Sequence, residues 1–263
     1  MWPFKSKEEK QRLEETQAAC DQFVVAASSA SPEGARRLAE QFTFEGTLDR
    51  VSQREARSYA DSAFVAYCGH VLADDHLTAE EEEAFGHVSE ALGISQEVLQ
   101  QDFAEVVSRL VVARVNNGRL LPMVSHQLMA KKDETVYLEI GAGLMKEVSI
   151  REWQGGSGGF SFRVAKGVRY NVGRTKGRSV VVGTEVQMAD VGLLAVSSSR
   201  IAFLGERKTM EFPLAKLMDI DVYEDGVRIH SSHRQTAPLF QLQAHTADVF
   251  AATVNAAVQT LDE

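Results

Sequence analysis

The stretch GLLAVSSSRIAFLGERKTMEFPLAKLMDIDVYEDGVRI, residues 192–229, decides the fold of the C-terminal half of the chain. Short runs of β-branched and aromatic residues alternate in it with turn residues, which is typical of an antiparallel meander. Glu224-Asp225-Gly226 separates two of these runs, and Asp-Gly between apolar runs is a strong hairpin signal. The stretch therefore predicts consecutive strands joined by short turns.

Similar runs lie on both sides of this stretch. FSFRV and VRYNV precede it, LFQLQ follows it, and Thr246 is then the predicted N-cap of a final helix. One face of that helix is apolar, which suits it to cover an open sheet end. The face consists of Val249, Phe250, Val254, Ala257, Val258 and Leu261.

Composition changes near residues 131–134. Residues 1–133 contain 14 Lys and Arg against 22 Asp and Glu, whereas the remainder contains 14 against 15 and is richer in glycine. The net charges are therefore −8 and −1, which together give the −9 of the whole chain. We expect a domain boundary here, with domains 1–133 and 134–263 facing different partners.

Helical patterns fill the first domain. Residues 52–55 (SQRE) and 78–81 (TAEE) each fit the capping box that begins a helix. Apolar residues after both boxes recur at three- and four-residue spacing, so the two helices should pack together. A third helix is expected over residues 95–111, and Asn116-Asn117-Gly118 should end the helical segment.

The phrase AFVAYCGHVLADDHLTAEEEEAFGHVSEALGIS, residues 63–95, resembles the TerB-like (tellurite-resistance-associated) helical domains. The resemblance covers about residues 60–118, and Asp74 and Asp75 occupy the Asp and Gly places of its Ala-Asp-Gly pattern. It implies that the acidic loop binds either a metal ion or a partner protein.

The candidate metal ligands in this loop are Asp74, Asp75 and Glu80. Hard cations need several oxygens that converge on one point, but the four glutamates 80–83 fan around a helix, and the glycine and terminal Glu of an EF-hand are absent. Acidic residues at a helix N-terminus are also favoured by the helix dipole alone. Metal binding and simple helix capping both remain open.

Residues 192–229 contain ordered landmarks similar to those of bacterial pleckstrin-homology-like (PH-like) and GRAM-like domains. The resemblance implies an antiparallel β-barrel closed by a C-terminal helix, and a family in which many members bind proteins and a minority bind lipid. The landmarks are Gly192, Leu194, Ser197, Arg200, Ile201, Phe203, Gly205, Pro213, Leu214, Lys216, Leu217, Tyr223, Asp225, Gly226 and Val227.

A basic, glycine-rich segment, GGSGGFSFRVAKGVRYNVGRTKGRSV, occupies residues 155–180 and contains no acidic residue. Alternating apolar residues predict a hairpin. Its glycine spacing fits neither a Walker A loop nor a dinucleotide fingerprint, and the acidic neighbouring domain disfavours nucleic acid. An anion site for lipid headgroups or an acidic partner, and simple protection of a strand edge, remain open. The candidate binding residues are Arg163, Lys166, Arg169, Arg174, Lys176 and Arg178.

Signals for catalysis are weak. No nucleophile elbow or zinc-protease motif occurs, and we expect Ser231 and His233 not to form a nucleophile–base pair. Cys20 and Cys68 lie in helical patterns and are predicted to be reduced core thiols. We expect no enzyme activity and no cofactor.

The N-terminus is charged from Lys5 onward, and the apolar runs fall short of a membrane span. We therefore expect a cytoplasmic protein, with a peripheral position at the inner face of the membrane as the alternative, helped by Trp2 and Phe4.

The sequence thus predicts an α+β protein, in which an all-α domain precedes a PH-like β-barrel with a closing helix. We expect a non-enzymatic bacterial interaction or adaptor protein linked to stress response or phage defence, which binds protein partners and not nucleic acid. The alternatives are a peripheral membrane module that contacts acidic lipid through residues 155–180, and a metal-dependent function of loop 74–83. The oligomeric state is left open.

Overall fold

The computed structural model describes residues 5–125, 127–147, 159–165, 168–173 and 186–261. The chain divides into two compact units, Met1–Ala113 and Arg114–Glu263, which we call the helical unit and the sheet unit. The compositional change at residues 131–134 lies within the sheet unit. No helix among the described residues is long and apolar enough to cross a bilayer.

Six helices and one short 3-10 turn form the N-terminal part of the chain. They are α1 (Lys7–Ser29), α2 (Pro32–Phe44), the 3-10 turn (Thr47–Arg50), α3 (Gln53–Val71), α4 (Ala79–Ala91), α5 (Gln96–Asp102) and α6 (Ala104–Asn116). The side chains of Ser6, Ser31, Thr78 and Ser95 each accept a hydrogen bond from a free backbone N–H at a helix start.

Both predicted capping boxes are confirmed. The Ser52 amide donates to Glu55 at 3.3 Å, and the Thr78 amide donates to Glu81 at 2.8 Å. The helices that follow pack together as expected, since the ring centroids of Phe64 in α3 and Phe85 in α4 are 5.6 Å apart. The core of the helical unit forms around these aromatic side chains.

The prediction of one continuous helix over residues 95–111 was wrong. The chain leaves helical geometry at Phe103, with φ −127° and ψ 36°, and this residue separates α5 from α6. The ring of Phe103 packs edge-on against Phe64, with centroids 4.9 Å apart. One apolar stripe continues through both helices against the same core, so periodicity alone could not locate the break. Gly118 takes the expected left-handed conformation, with φ 75°.

The sheet unit contains nine strands and one helix among its described residues. They are β1 (Val136–Glu147), β2 (Gly159–Ala165), β3 (Val168–Gly173), β4 (Val186–Ser197), β5 (Arg200–Gly205), β6 (Thr209–Pro213), β7 (Leu217–Tyr223), β8 (Gly226–Ser231), β9 (Leu239–Leu242) and α7 (Thr246–Gln259). Every run predicted as a strand is a strand, and Tyr223 pairs with Gly226 at the predicted hairpin.

Seven of these strands form one antiparallel sheet in the order β6-β5-β4-β1-β9-β8-β7, while β2 and β3 form a separate hairpin. The sheet is curled into a half-barrel, so the expectation of a closed barrel was wrong. Strands β6 and β7 are its two edges, and within the described residues no ladder joins them. Helix α7 covers the apolar face instead, with Phe250 and Val254 fully buried among the strand side chains.

The start and end of α7 differ in detail from the prediction. The N-cap is His245, whose φ is 66°, while Thr246 is the first helical residue and its hydroxyl donates to the Gln243 carbonyl at 2.6 Å. Leu261 lies beyond the helix and is 45% exposed, so it does not belong to the buried face. The other predicted face residues are buried.

Candidate binding cleft

The basic segment is described only in part. Arg163 in β2 and Arg169 in β3 occupy opposite positions of the backbone ladder, so the predicted hairpin is confirmed. Lys166, Arg174, Lys176 and Arg178 lie outside the described residues, as do Trp2 and Phe4. An anion site on this segment therefore stays a prediction.

The acidic loop between α3 and α4 is held by its own hydrogen bonds. Asp74 accepts from the His76 amide at 3.1 Å, and Asp75 has φ 54° and lies 4.0 Å from the Arg109 guanidinium. Glu80 is exposed on the first turn of α4. Within the described part of the chain, no group of three or more His, Cys, Asp or Glu is arranged to hold a metal ion. The metal hypothesis gains no support from this geometry.

A cleft of about 280 Å³ opens beside this loop, entirely within the helical unit. It lies where α1 ends, α2 begins, α3 ends and α4 begins. Small residues form much of its wall, and a tyrosine, a histidine and two carboxylates provide its polar groups. The lining residues are Ala27, Ser28, Ala30, Pro32, Ala35, Tyr67, His70, Val71, Ala73, Asp74, Glu81 and Ala84.

Local sequence explains why the space is open. Pro32 begins α2 directly after the α1 C-terminus, which fits its preference for the first helical turn. Alanines at positions 27, 35 and 84 are buried in the walls, and each side chain extends only one methyl group from the backbone. The helices can therefore approach one another and still leave a cleft between their ends.

Tyr67 is the most buried polar side chain of the cleft, with 2% of the residue exposed. Its ring stacks on Phe85 with centroids 5.9 Å apart, and its hydroxyl makes no hydrogen bond to any described residue. Burial, with a smaller effect from the nearby charges of Cys68 and Glu81, raises the pKa of Tyr67 to about 12. The phenol therefore stays neutral at physiological pH and can both donate and accept.

The charges around the cleft are mainly negative. Asp74 and Glu81 lie in its wall, and the nearest cations that the structure describes are engaged elsewhere. His70 also lines the cleft, while two arginines of the same unit are engaged outside it, since the Arg36 guanidinium pairs with Glu83 at 3.1 Å and Arg109 donates to the Leu72 carbonyl at 3.0 Å. This arrangement favours a cationic occupant over an anionic one.

The sheet unit contains a buried ion-pair cluster that the sequence analysis missed. Arg200 donates to Glu134 at 2.9 and 3.0 Å and also pairs with Glu211, and its side chain is only 6% exposed. Ser197 and Ser199 donate to the same Glu134 carboxylate at 2.6 and 2.8 Å. The cluster ties the segment before β1 to the β4–β5 hairpin.

Hydrogen bonding decides the ionisation of Glu134. Burial on its own raises the pKa of this carboxyl, but hydrogen bonds from the Lys131 amide, the hydroxyls of Ser197 and Ser199 and the Arg200 guanidinium outweigh it and lower the pKa to about 2. Glu134 is therefore ionised at neutral pH and fully occupied by its partners. Ser197 and Arg200, two of the predicted PH-like landmarks, therefore stabilise the fold through their hydrogen bonds to Glu134.

Ser231 and His233, which were expected not to form a nucleophile–base pair, do lie in contact, with Ser231 Oγ 2.6 Å from His233 Nδ1. Strand β8 ends at Ser231, and the turn that follows brings His233 back towards it. The Ser231 hydroxyl also lies 3.0 Å from the Lys216 carbonyl, and its donor or acceptor role towards the imidazole depends on the His233 tautomer. The contact stabilises a turn.

Cys20 and Cys68 are free and buried, as predicted, and burial raises their pKa values to about 11 and about 12.

A scan against protein-family models and a search of curated proteins both found no match to this chain. The TerB-like and PH-like assignments therefore stay predictions, and the geometry of the described residues carries the functional argument.

Proposed function

We propose that this chain is a non-enzymatic interaction protein that binds protein partners. The observation that carries the proposal is the cleft of the helical unit, which combines an open cavity, an acidic wall and a tyrosine that is 2% exposed and whose hydroxyl has no hydrogen-bond partner among the described residues. Concave sites with a few convergent polar groups are the usual places for recognition.

The polar clusters of the sheet unit support a binding role over a catalytic one. Glu134 and Arg200 neutralise each other, and the Ser231 hydroxyl contacts both the Lys216 carbonyl and the His233 imidazole. His230 pairs with Asp221 at 2.9 Å on the half-buried face of β7 and β8. A catalytic nucleophile needs a base that a third group orients, and within the described residues the His233 imidazole makes no hydrogen bond besides the one to Ser231.

The two family resemblances extend the proposal. A TerB-like helical unit and a PH-like sheet unit would place the protein among bacterial stress-response or phage-defence adaptors, with one binding surface on each unit. The half-barrel with a covering C-terminal helix is consistent with a PH-like unit, and the acidic loop beside the cleft is consistent with a TerB-like one.

The test is to identify a partner and then measure binding between purified components. The full chain is cross-linked inside the native host and purified, and enriched proteins are identified by mass spectrometry. Each candidate is then titrated against the purified chain by calorimetry at physiological salt. We expect at least one saturable partner whose affinity persists, because an interface with an apolar centre keeps much of its affinity in salt. Failure of every candidate to bind directly would contradict the proposal.

A second candidate function is contact with acidic lipid. The observation in its favour is the hairpin that places Arg163 and Arg169 at opposite ladder positions, in a segment that has six cations and no acidic residue. We expect weak vesicle binding at best, fading as salt rises, since each cation near an anionic surface contributes about 1 kcal/mol. Strong vesicle recruitment that is lost on changing Arg163→Glu and Arg169→Glu together would make lipid binding the main function.

A further inference from the structure

We infer that the cleft of the helical unit receives a single lysine or arginine side chain from the protein partner. This inference rests on the proposed function, and it specifies the chemistry of the group that the partner inserts. Three properties of the cleft carry it, namely its size, its apolar wall and its charge.

The size of the cleft is sufficient for one long side chain. Pockets for drug-sized ligands and cofactors have volumes of about 300–1,000 Å³. The cleft, at about 280 Å³, lies just below that range. A dinucleotide or a large cofactor is too big for it, whereas one long side chain fits with room for its polar end.

The apolar wall suits the stem of such a side chain. Ala27, Ala35 and Ala84 are buried and present methyl groups to the cleft. Lysine and arginine carry three or four methylene groups below the charged end, and these stems pack well on apolar surfaces. A short acidic side chain offers no comparable contact.

Charge selects a cation. Asp74 and Glu81 lie in the wall, and the Tyr67 hydroxyl is available as an acceptor because no described residue donates to it or accepts from it. At the helix starts beside the cleft, Ser31 accepts from the Gly34 amide in α2, and Thr78 and Glu81 form the capping box of α4. Helices α1 and α3 end at the cleft, and the carbonyl groups of their last turns add partial negative charge.

The experiment uses two short peptides and the full chain labelled with carbon-13 in its alanine methyl groups. Acetyl-Ala-Lys-Ala-amide is the probe, and the same peptide with norleucine in place of lysine is its uncharged isostere. We expect the lysine peptide to shift the methyl resonances of Ala27, Ala35 and Ala84, with a dissociation constant on the order of millimolar. The norleucine peptide should leave them unchanged.

Variants then test the named groups. Tyr67→Phe removes only the hydroxyl and keeps the ring on Phe85, and Asp74→Asn keeps the oxygen that accepts from the His76 amide. Each should weaken binding of the lysine peptide by at least about tenfold, which is the size expected for a lost hydrogen bond to a charged group. Glu90→Gln is the matched control, because Glu90 is exposed on α4 and does not line the cleft, and it should leave the affinity unchanged.

The outcomes separate this inference from the proposed function. Equal shifts with both peptides, no shift with either, or full affinity in Asp74→Asn would overturn the inference. A purified partner that binds wild type and the Tyr67→Phe, Asp74→Asn double variant equally would also overturn it, although the proposed function would stand. Binding of the lysine peptide without any direct protein partner would contradict the proposed function and point to a free amine as the occupant.

Discussion

The two units differ in the charge of the polar groups that they bury. Within the described residues, the sheet unit buries the charged side chains of Asp190, Glu134 and Arg200 and gives each of these three several partners, although the buried Asn255 Oδ1 of the same unit has no hydrogen-bond partner among them. The described residues of the helical unit bury only neutral polar side chains, and the hydroxyl of Tyr67 has no partner among them. Buried charged side chains therefore hold strands and loops together in the sheet unit. In the helical unit, the Tyr67 hydroxyl lies at the cleft.

The space around individual glycine residues also differs between the two units. In the sheet unit Gly192 lies so close to the neighbouring strand that a Cβ atom would be 2.1 Å from the Leu204 carbonyl oxygen. In the helical unit a Cβ atom on Gly69 or Gly86 would meet nothing within 4 Å. The neighbouring strand thus leaves no room for a side chain at Gly192, whereas Gly69 and Gly86 have free space around them.

The largest expected effect comes from breaking the buried ion pair. Arg200→Ala leaves the Glu134 carboxylate, whose side chain is 2% exposed, buried without its cation. We expect the free energy of unfolding of the sheet unit to fall by about 3–5 kcal/mol, because an uncompensated buried charge is costly. Hydrogen exchange of amides in β4 and β5, followed by mass spectrometry, measures this loss.

Lys131→Ala is the control for this variant. Lys131 contacts Glu211 at 3.5 Å, but both side chains are largely exposed, so the loss should stay below about 1 kcal/mol. Comparable losses in both variants would show that the cluster behaves like a surface ion pair, and the contrast between the units would disappear.

The second largest expected effect is the loss of stability of the sheet unit in acid. The folded-state pKa of Glu134 is about 2, below its ordinary value of 4.5, so its contribution is present above pH 4.5 and is lost as pH falls towards 2. We expect this group to account for a loss of about 3 kcal/mol from the sheet unit over that window. Urea unfolding between pH 6 and pH 2 measures it, and Glu134→Gln should flatten the pH dependence. An equally steep curve in Glu134→Gln would assign the acid sensitivity to other carboxyls.

A methyl group at Gly192 should destabilise the sheet unit. In Gly192→Ala the new Cβ collides with backbone of β5, which cannot move aside as a side chain end can, and we expect a loss of about 1–3 kcal/mol. Gly141→Ala in β1 is the matched control, since a Cβ there meets nothing within 4 Å. Thermal unfolding of the two variants should place Gly141→Ala at or slightly above wild type. The reverse order would mean that the strand spacing adjusts freely.

The smallest effect is a gain in the helical unit. Gly69 and Gly86 lie inside α3 and α4, so changing either to alanine should stabilise this unit by about 0.5–1 kcal/mol. Gly93→Ala provides the contrast, because Gly93 has φ 71° and an alanine there is strained. Hydrogen exchange in α3 and α4 measures both. Stabilisation by Gly93→Ala would show that the helix end is not fixed as the structure has it.

Much of the sheet could be predicted from local pattern, but its centre could not. Strand β1 pairs with both β4 and β9 and so joins the two halves of the sheet, yet no strand was predicted there. Its sequence VYLEIGAGLMKE contains two glycines, which usually weaken a strand signal. Packing does not require either glycine, since a Cβ at Gly141 would meet nothing within 4 Å and one at Gly143 would meet only the flexible end of Met188, at 3.0 Å.

The candidate site shows the same division. The capping residues Thr78 and Glu81 and the acidic loop were identified from the sequence, because they act on neighbours three residues away. Tyr67 was assigned only to a buried helix stripe. Its role in a cleft depends on where α1 and α2 place their alanines, about 35 residues earlier in the chain, and no periodicity within α3 reports that.

The sequence by itself determined the starts of α3 and α4, the hairpin at residues 224–226, the alternation of the strands and the difference in net charge between the two halves. Hydrogen bonds and backbone preferences act over a few residues, so these features need only local information. Tertiary structure alone decided the break at Phe103, the central place of β1, the open edges of the half-barrel and the pairing of Glu134 with Arg200, 66 residues away. Such contacts depend on how the whole chain returns upon itself, because distant residues gain energy from one another only after the intervening loop has closed.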